Sequence, residues 1–107
     1  MSPELCLGTV QMGLNYGITN SKGIVTNQEI IRILDFASSN NINFLDTAQA
    51  YGSAENVIGE YSLQNSIFKI VSKIPAQPKT EWNVNKEIEW EQSFIKSLQN
   101  LNVEYID

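Results

Sequence analysis

Apolar residues along this chain switch repeatedly between a continuous spacing and a helical one. Glu4 to Val10 is a short apolar run closing on Gly8-Thr9, and it predicts a buried strand. Residues 11–25 are rich in Gly, Asn and Ser and predict a loop, with turns at Tyr16-Gly17 and Lys22-Gly23. Thr26 lies three residues before Glu29, the spacing of a capping box. Ile30, Ile33, Leu34 and Ala37 then share one helical face. The polar run Ser38-Ser39-Asn40-Asn41 ends that helix. Ile42 to Leu45 predicts a second strand, and Ser53 is placed to cap a second helix carrying Val57, Ile58 and Tyr61. Ile67 to Ile74 predicts a third strand, with Pro75 and Pro78 interrupting the loop after it. From about Lys86 a third helix presents Ile88, Phe94, Ile95, Leu98 and Leu101, and Val103 to Asp107 begins a fourth strand.

Strands alternating with helices at this spacing imply parallel pairing through right-handed crossovers. Such strands are normally covered on both faces, which suits their near-continuous apolar character. Two α/β architectures satisfy this: a doubly wound open sheet, or part of a (β/α)₈ barrel. A doubly wound dinucleotide domain usually carries a glycine-rich turn that runs straight into a helix. Gly8-Thr9-Val10-Gln11-Met12-Gly13 lacks the G-x-G-x-x-G spacing, and a long loop separates it from the first helix. Asp46, Tyr51 and Lys73 all fall at or just past C-terminal strand ends, where barrel enzymes keep their chemistry. The expected fold is therefore the N-terminal part of a TIM barrel, with residues 1–107 one portion of a single domain.

Composition narrows the chemistry. Seven Lys and Arg against twelve Asp and Glu give a net charge of −5, which argues against a nucleic-acid or anionic-membrane surface. The chain has no histidine, so it supplies no His triad, His metal ligand or His proton shuttle. Its single cysteine, Cys6, excludes an intrachain disulfide and a cysteine-rich zinc site, and its apolar strand predicts a buried core thiol. No apolar run approaches the ~20 residues of a membrane span, and no signal peptide is visible. The expectation is a cytoplasmic protein without a metal.

What remains is an acid, a phenol and an amine at neighbouring strand ends: Asp46, Tyr51 and Lys73. A phenol with an ordinary pKa of about 10 is a weak acid–base catalyst near neutrality. An ammonium beside it stabilises the phenolate, and a carboxylate beside the ammonium keeps that charge in place. Such a phenol can give a proton to a carbonyl oxygen as negative charge develops there. Each residue taken alone has a plainer reading: Asp46 caps a turn, Tyr51 packs, and Lys73 reaches from a strand end to solvent.

On Gly8-Thr9 with Gly13, Leu45-Asp46-Thr47-Ala48 with Tyr51-Gly52 and Glu55, Ser72-Lys73, and Leu98 to Asp107, the whole chain resembles the N-terminal part of an aldo-keto reductase. The resemblance implies NADPH-dependent reduction of an aldehyde or ketone, or the reverse oxidation, on a small-molecule carbonyl substrate. It implies Tyr51 as proton donor, Lys73 as the neighbour that stabilises its phenolate, and Asp46 as the lysine's partner. It places Gly8, Thr9 and Asp46 near the nicotinamide ribose.

The family's catalytic histidine, at the end of its fourth strand, has no counterpart in this chain, and neither do its later phosphate-gripping loops. The expectation is a piece of a longer enzyme. The alternative is a catalytically inactive half barrel acting as a binding or oligomeric subunit, self-associating through its open sheet edges. A third reading is another barrel enzyme, an isomerase or aldolase, using Lys73 as a Schiff-base amine. Glu55 reads as a favourable acid in a helix's first turn. Trp82 and Trp90 read as packing residues before substrate contacts, and Tyr16 lies in a loop above the first strand.

Overall fold

A computed structural model describes residues 3–17, 21, 23–65, 67–75 and 83–107. The expected features at Lys22, Pro78 and Trp82 lie outside these residues. Three short strands, β1 (Cys6–Gly8), β2 (Phe44–Asp46) and β3 (Lys69–Val71), pair in parallel in the order β1-β2-β3. Their crossovers carry α1 (Asn27–Ser39) and α2 (Ala54–Ser62), and α3 (Val84–Leu101) follows β3. A single 3₁₀ turn, Val10–Met12, sits just past β1. Sequential order with one crossover hand lays every helix on the same face of the sheet, as in a barrel wall; a doubly wound sheet reverses its strand order.

The register explains both faces. Leu7, Leu45 and Ile70 are paired neighbours across the sheet and point beneath the helices. There they join Ile30 and Leu34 of α1, Ile58 of α2 and Leu101 of α3 in one core. Leu34, Leu45, Ile58 and Leu101 are fully buried, each contributing roughly 1.5–3 kcal/mol of apolar transfer free energy. Side chains alternate along a strand, so the flanking rows Cys6-Phe44-Lys69 and Gly8-Asp46-Val71 face the other way. Among the described residues no helix covers that second face, against the expectation that the strands are covered on both. This overturns the expectation of a buried thiol: Cys6 is exposed because its register puts it on the uncovered side, opposite Leu7.

Helix signals in the sequence map onto local geometry. Thr26 caps α1, its hydroxyl accepting from the Glu29 N–H at 3.3 Å. Asn41 follows the helix in a left-handed conformation (φ 61°) that asparagine tolerates. Asn83 caps α3 by accepting from the Lys86 N–H at 3.0 Å. Ser53 occupies the N-cap of α2, but its hydroxyl makes no capping bond; the Ala54 N–H bonds the Tyr51 carbonyl instead.

Two further expectations fail. Val103 to Asp107 is not a regular strand, although its Asp107 N–H already bonds the Ile70 carbonyl at 2.9 Å. The Ile70 N–H is taken by the Asp107 carboxylate at 3.0 Å, so a side chain occupies the place of a ladder acceptor. On α3, Ile88, Phe94 and Ile95 are exposed, whereas Ser97 is buried. Ser97 is covered by the Gln49 amide, which donates to its hydroxyl, and α2 approaches α3 so closely that a Cβ on Gly59 would lie 2.0 Å from the Asn100 carbonyl oxygen.

Between α1 and α2, Tyr61 donates a hydrogen bond to Asp35 at 2.7 Å. Burial, the bond to Asp35 and that residue's charge push the Tyr61 phenol from an ordinary 10.0 up to about 12. The folded state therefore holds this proton more tightly than the unfolded chain. The associated stability is fully present below about pH 10 and is lost as pH rises through about 12. A phenolate absorbance titration should show one tyrosine ionising near pH 12, absent from Tyr61→Phe. Absence of an ionisation near pH 12 in the wild type would contradict the Tyr61–Asp35 bond.

Candidate active site

Asp46 is the last residue of β2, on the uncovered face, with its side chain half-exposed. Thr9, fully buried just past β1, locks that strand end in place. Its N–H and its hydroxyl both donate to the Asp46 carbonyl at 3.0 Å. Beyond the regular strands the β2–β3 ladder continues, with the Thr47 N–H on the Val71 carbonyl and the Gln49 N–H on the Lys73 carbonyl. This continuation carries Lys73 level with the loop that follows Asp46.

The Lys73 ammonium forms an ion pair with the Asp46 carboxylate and donates to the Thr47 carbonyl at 2.9 Å. It also lies 5.3 Å from the centroid of the Tyr51 ring. The bond to Asp46 pushes the Lys73 pKa up from its ordinary 10.5; desolvation opposes this, and the Asp46 charge and the Tyr51 phenol add to it. Lys73 is consequently a cation at neutral pH. An ammonium held protonated is a poor Schiff-base nucleophile, which counts against the aldolase-type reading.

Tyr51 is half-buried, its loop pressed against the turn after β1. A Cβ on Gly13 would lie 1.8 Å from the Tyr51 carbonyl oxygen, and one on Gly52 would lie 2.2 Å from the Gly13 carbonyl oxygen. Gly52 also has φ 57°, a conformation that side-chain-bearing residues rarely adopt. Tyr51-Gly52 and Gly13 thus meet backbone to backbone, and the residues before the first helix hold the phenol's loop.

The three residues expected to work together are therefore brought together. Gly8 pairs with Asp46 one strand away, and apart from its chain neighbours no atom of the described residues lies within 4 Å of where its Cβ would stand. Tyr16 is exposed in the loop after the 3₁₀ turn. Trp90 is half-buried on α3, with its indole N–H buried and without a partner among the described residues. Among those residues no three His, Cys, Asp or Glu side chains group as a metal site, and no helix is long and apolar enough to cross a membrane.

Glu55 is the first-turn acid of α2 that the sequence predicts. It is also fully buried, accepting from the Ser72 hydroxyl at 2.8 Å and from the Asn100 amide at 3.3 Å. It thereby ties the residue preceding Lys73 to α2 and α3. The available signal was the four-residue spacing of Glu55 and Gly59, which places both on the α2 face that meets Asn100.

Residues 4–107 match the model of the aldo/keto reductase family. A solved structure assigned as an aldo-keto reductase of Pseudomonas aeruginosa is 29% identical with a TM-score of 0.76, over 95% of this chain and 39% of that one. A second from the same organism is 28% identical with a TM-score of 0.74, over 95% and 38%. A thermostable aldo-keto reductase, solved in complex with the inhibitor epalrestat, shares the fold at 24% identity and a TM-score of 0.67, over 99% and 36%. The chain thus spans less than two fifths of the length of these structures. No curated protein matches it.

Proposed function

The chain belongs to the aldo/keto reductase family, and from that premise we propose that it carries the proton-transfer residues of an NADPH-dependent carbonyl reductase. The observation that carries this reading is the Lys73 ammonium, shared between the Asp46 carboxylate and the face of Tyr51 at the C-terminal strand ends.

Two features suit a nicotinamide nucleotide. The half-exposed Asp46 carboxylate offers acceptors for a ribose hydroxyl, and the bare Gly8 beside it leaves space for a flat ring. Thr9 supports this shelf from beneath through its bonds to the Asp46 main chain. When bound, the reduced dinucleotide supplies the hydride.

The remaining work belongs to this chain. Tyr51 donates its phenolic proton to the substrate oxygen as negative charge builds there. Lys73 stabilises the phenolate left behind. Asp46 balances the lysine's charge and, with the Thr47 carbonyl, fixes where the ammonium sits. In the reverse direction the phenolate accepts the alcohol proton.

The test is oxidation of NADPH by an aromatic aldehyde in the protein that contains this chain, comparing wild type with Lys73→Met. The expected result is measurable turnover, falling by about 10²-fold or more in the variant. Wild-type turnover that persists undiminished in Lys73→Met would remove the lysine from the mechanism. Absence of turnover in the wild type with a panel of aldehydes and ketones would count against the reductase reading itself.

A further inference from the structure

The segment between Asp46 and the start of α2 is made mostly of small residues: Thr47, Ala48, Ala50, Gly52 and Ser53. Their side chains reach little beyond the loop, whose other support is the main-chain contact with Gly13. Gln49 is the exception. Its main-chain N–H donates to the Lys73 carbonyl at 3.0 Å. Its side-chain amide donates to the Ser93 carbonyl at 2.8 Å and to the Ser97 hydroxyl at 3.0 Å, both on α3. Ser93 and Ser97 are four residues apart on one helical face, and Ser97 is 2% exposed.

We infer that Gln49 is a positioning residue that fixes the Tyr51 phenol over the Lys73 ammonium by bolting their shared loop to α3. The Tyr51 N–H bonds the Ala48 carbonyl at 3.0 Å, so Gln49 lies inside the turn that these two residues close. Holding an interior residue of a turn holds the turn's direction, and therefore the direction in which Tyr51 leaves it. The same residue is bonded to the main chain of Lys73. One side chain thus references both members of the pair to a rigid helix. Its influence passes through the backbone, and it need not touch substrate.

The inference rests on the carbonyl-reductase reading, and misplacing a reacting group by about 1 Å costs on the order of 10²-fold in rate. Gln49→Met keeps the length of the side chain and removes its donors. In the protein that contains this chain, it should lower kcat for aldehyde reduction by about 10- to 100-fold, with the KM for NADPH unchanged. Ser97→Ala, a milder change that preserves packing, should lower kcat less, and it should add nothing in the Gln49→Met background. Leu34→Val, in the core beneath α1, serves as the control; it should lower stability and leave kcat unchanged.

Wild-type kcat in Gln49→Met overturns the inference. So does simple addition of the Gln49 and Ser97 effects, or a fall in kcat matched by Leu34→Val at equal loss of stability. Where Gln49→Met folds poorly, Ser97→Ala decides alone: a fall in kcat without a change in KM supports the inference, and an unchanged kcat refutes it. A wild type with no reductase activity overturns the proposed function and this inference together. An active wild type with a fully active Gln49→Met overturns only this inference.

Discussion

Replacing Tyr51 with phenylalanine should lower carbonyl reduction by about 10²–10⁴-fold, with the fold and dinucleotide affinity retained. The ring packs against the edge of the core and would still do so as phenylalanine. The Asp46–Lys73 pair does not depend on the hydroxyl, because Lys73 keeps the Thr47 carbonyl and the Asp46 carboxylate. What disappears is the phenolic proton that the proposed mechanism delivers to a substrate oxygen. Steady-state NADPH oxidation measures the loss, and quenching of protein fluorescence by NADPH together with a thermal melt checks that nothing else has changed. A variant with wild-type kcat would mean that the proton comes from elsewhere, and the ammonium over the ring would need another explanation.

Gly13→Ala should be the most damaging small substitution in the described residues, costing about 3 kcal/mol or more. The added methyl would meet the Tyr51 carbonyl oxygen at 1.8 Å, the Ala54 nitrogen at 2.5 Å and the Ser53 nitrogen at 2.9 Å. All three are main-chain atoms, so no side chain can swing aside to relieve the clash. Gly8→Ala is the matched comparison: nothing lies within 4 Å of its new methyl, and stability should stay within about 0.5 kcal/mol. Urea unfolding midpoints of the two variants, in the protein that contains this chain, decide the matter. Equal midpoints would show that the loop after β1 does not press on the Tyr51 turn.

The order of elements and the face of α1 were legible because periodicity reports burial directly. Ile30, Leu34 and Ala37 are buried where their spacing puts them, and Thr26 caps where its offset from Glu29 predicts. The pairing of Asp46 with Lys73 was legible from chemistry, because a carboxylate and an amine at adjacent parallel strand ends have few other places to go. Burial of individual residues was less so. Cys6 reads as core because its neighbours are apolar, yet two-residue alternation sends it to the uncovered face. The exposed Ile88, Phe94 and Ile95 read as core for the same reason. Which side of α3 turns inward is set by close approach to Gly59 and by polar partners on other elements. Gln49 and Glu55 meet those partners 44 and 45 residues away. No local window contains such pairs.

The row that binds Leu7, Leu45 and Ile70 has a consequence for how this scaffold tolerates error. Asp46 is offset by one position from Leu45, and Lys73 by three from Ile70, so both charged groups sit at odd offsets from the core row. A slip of β2 by a single position would drive a carboxylate under the helices and leave a leucine in water. The core would reject that arrangement before any chemistry was attempted. A check on the Asp46–Lys73 pairing is thus built into strand parity: a chain that packs its hydrophobic row has already set that carboxylate and that amine on the opposite side.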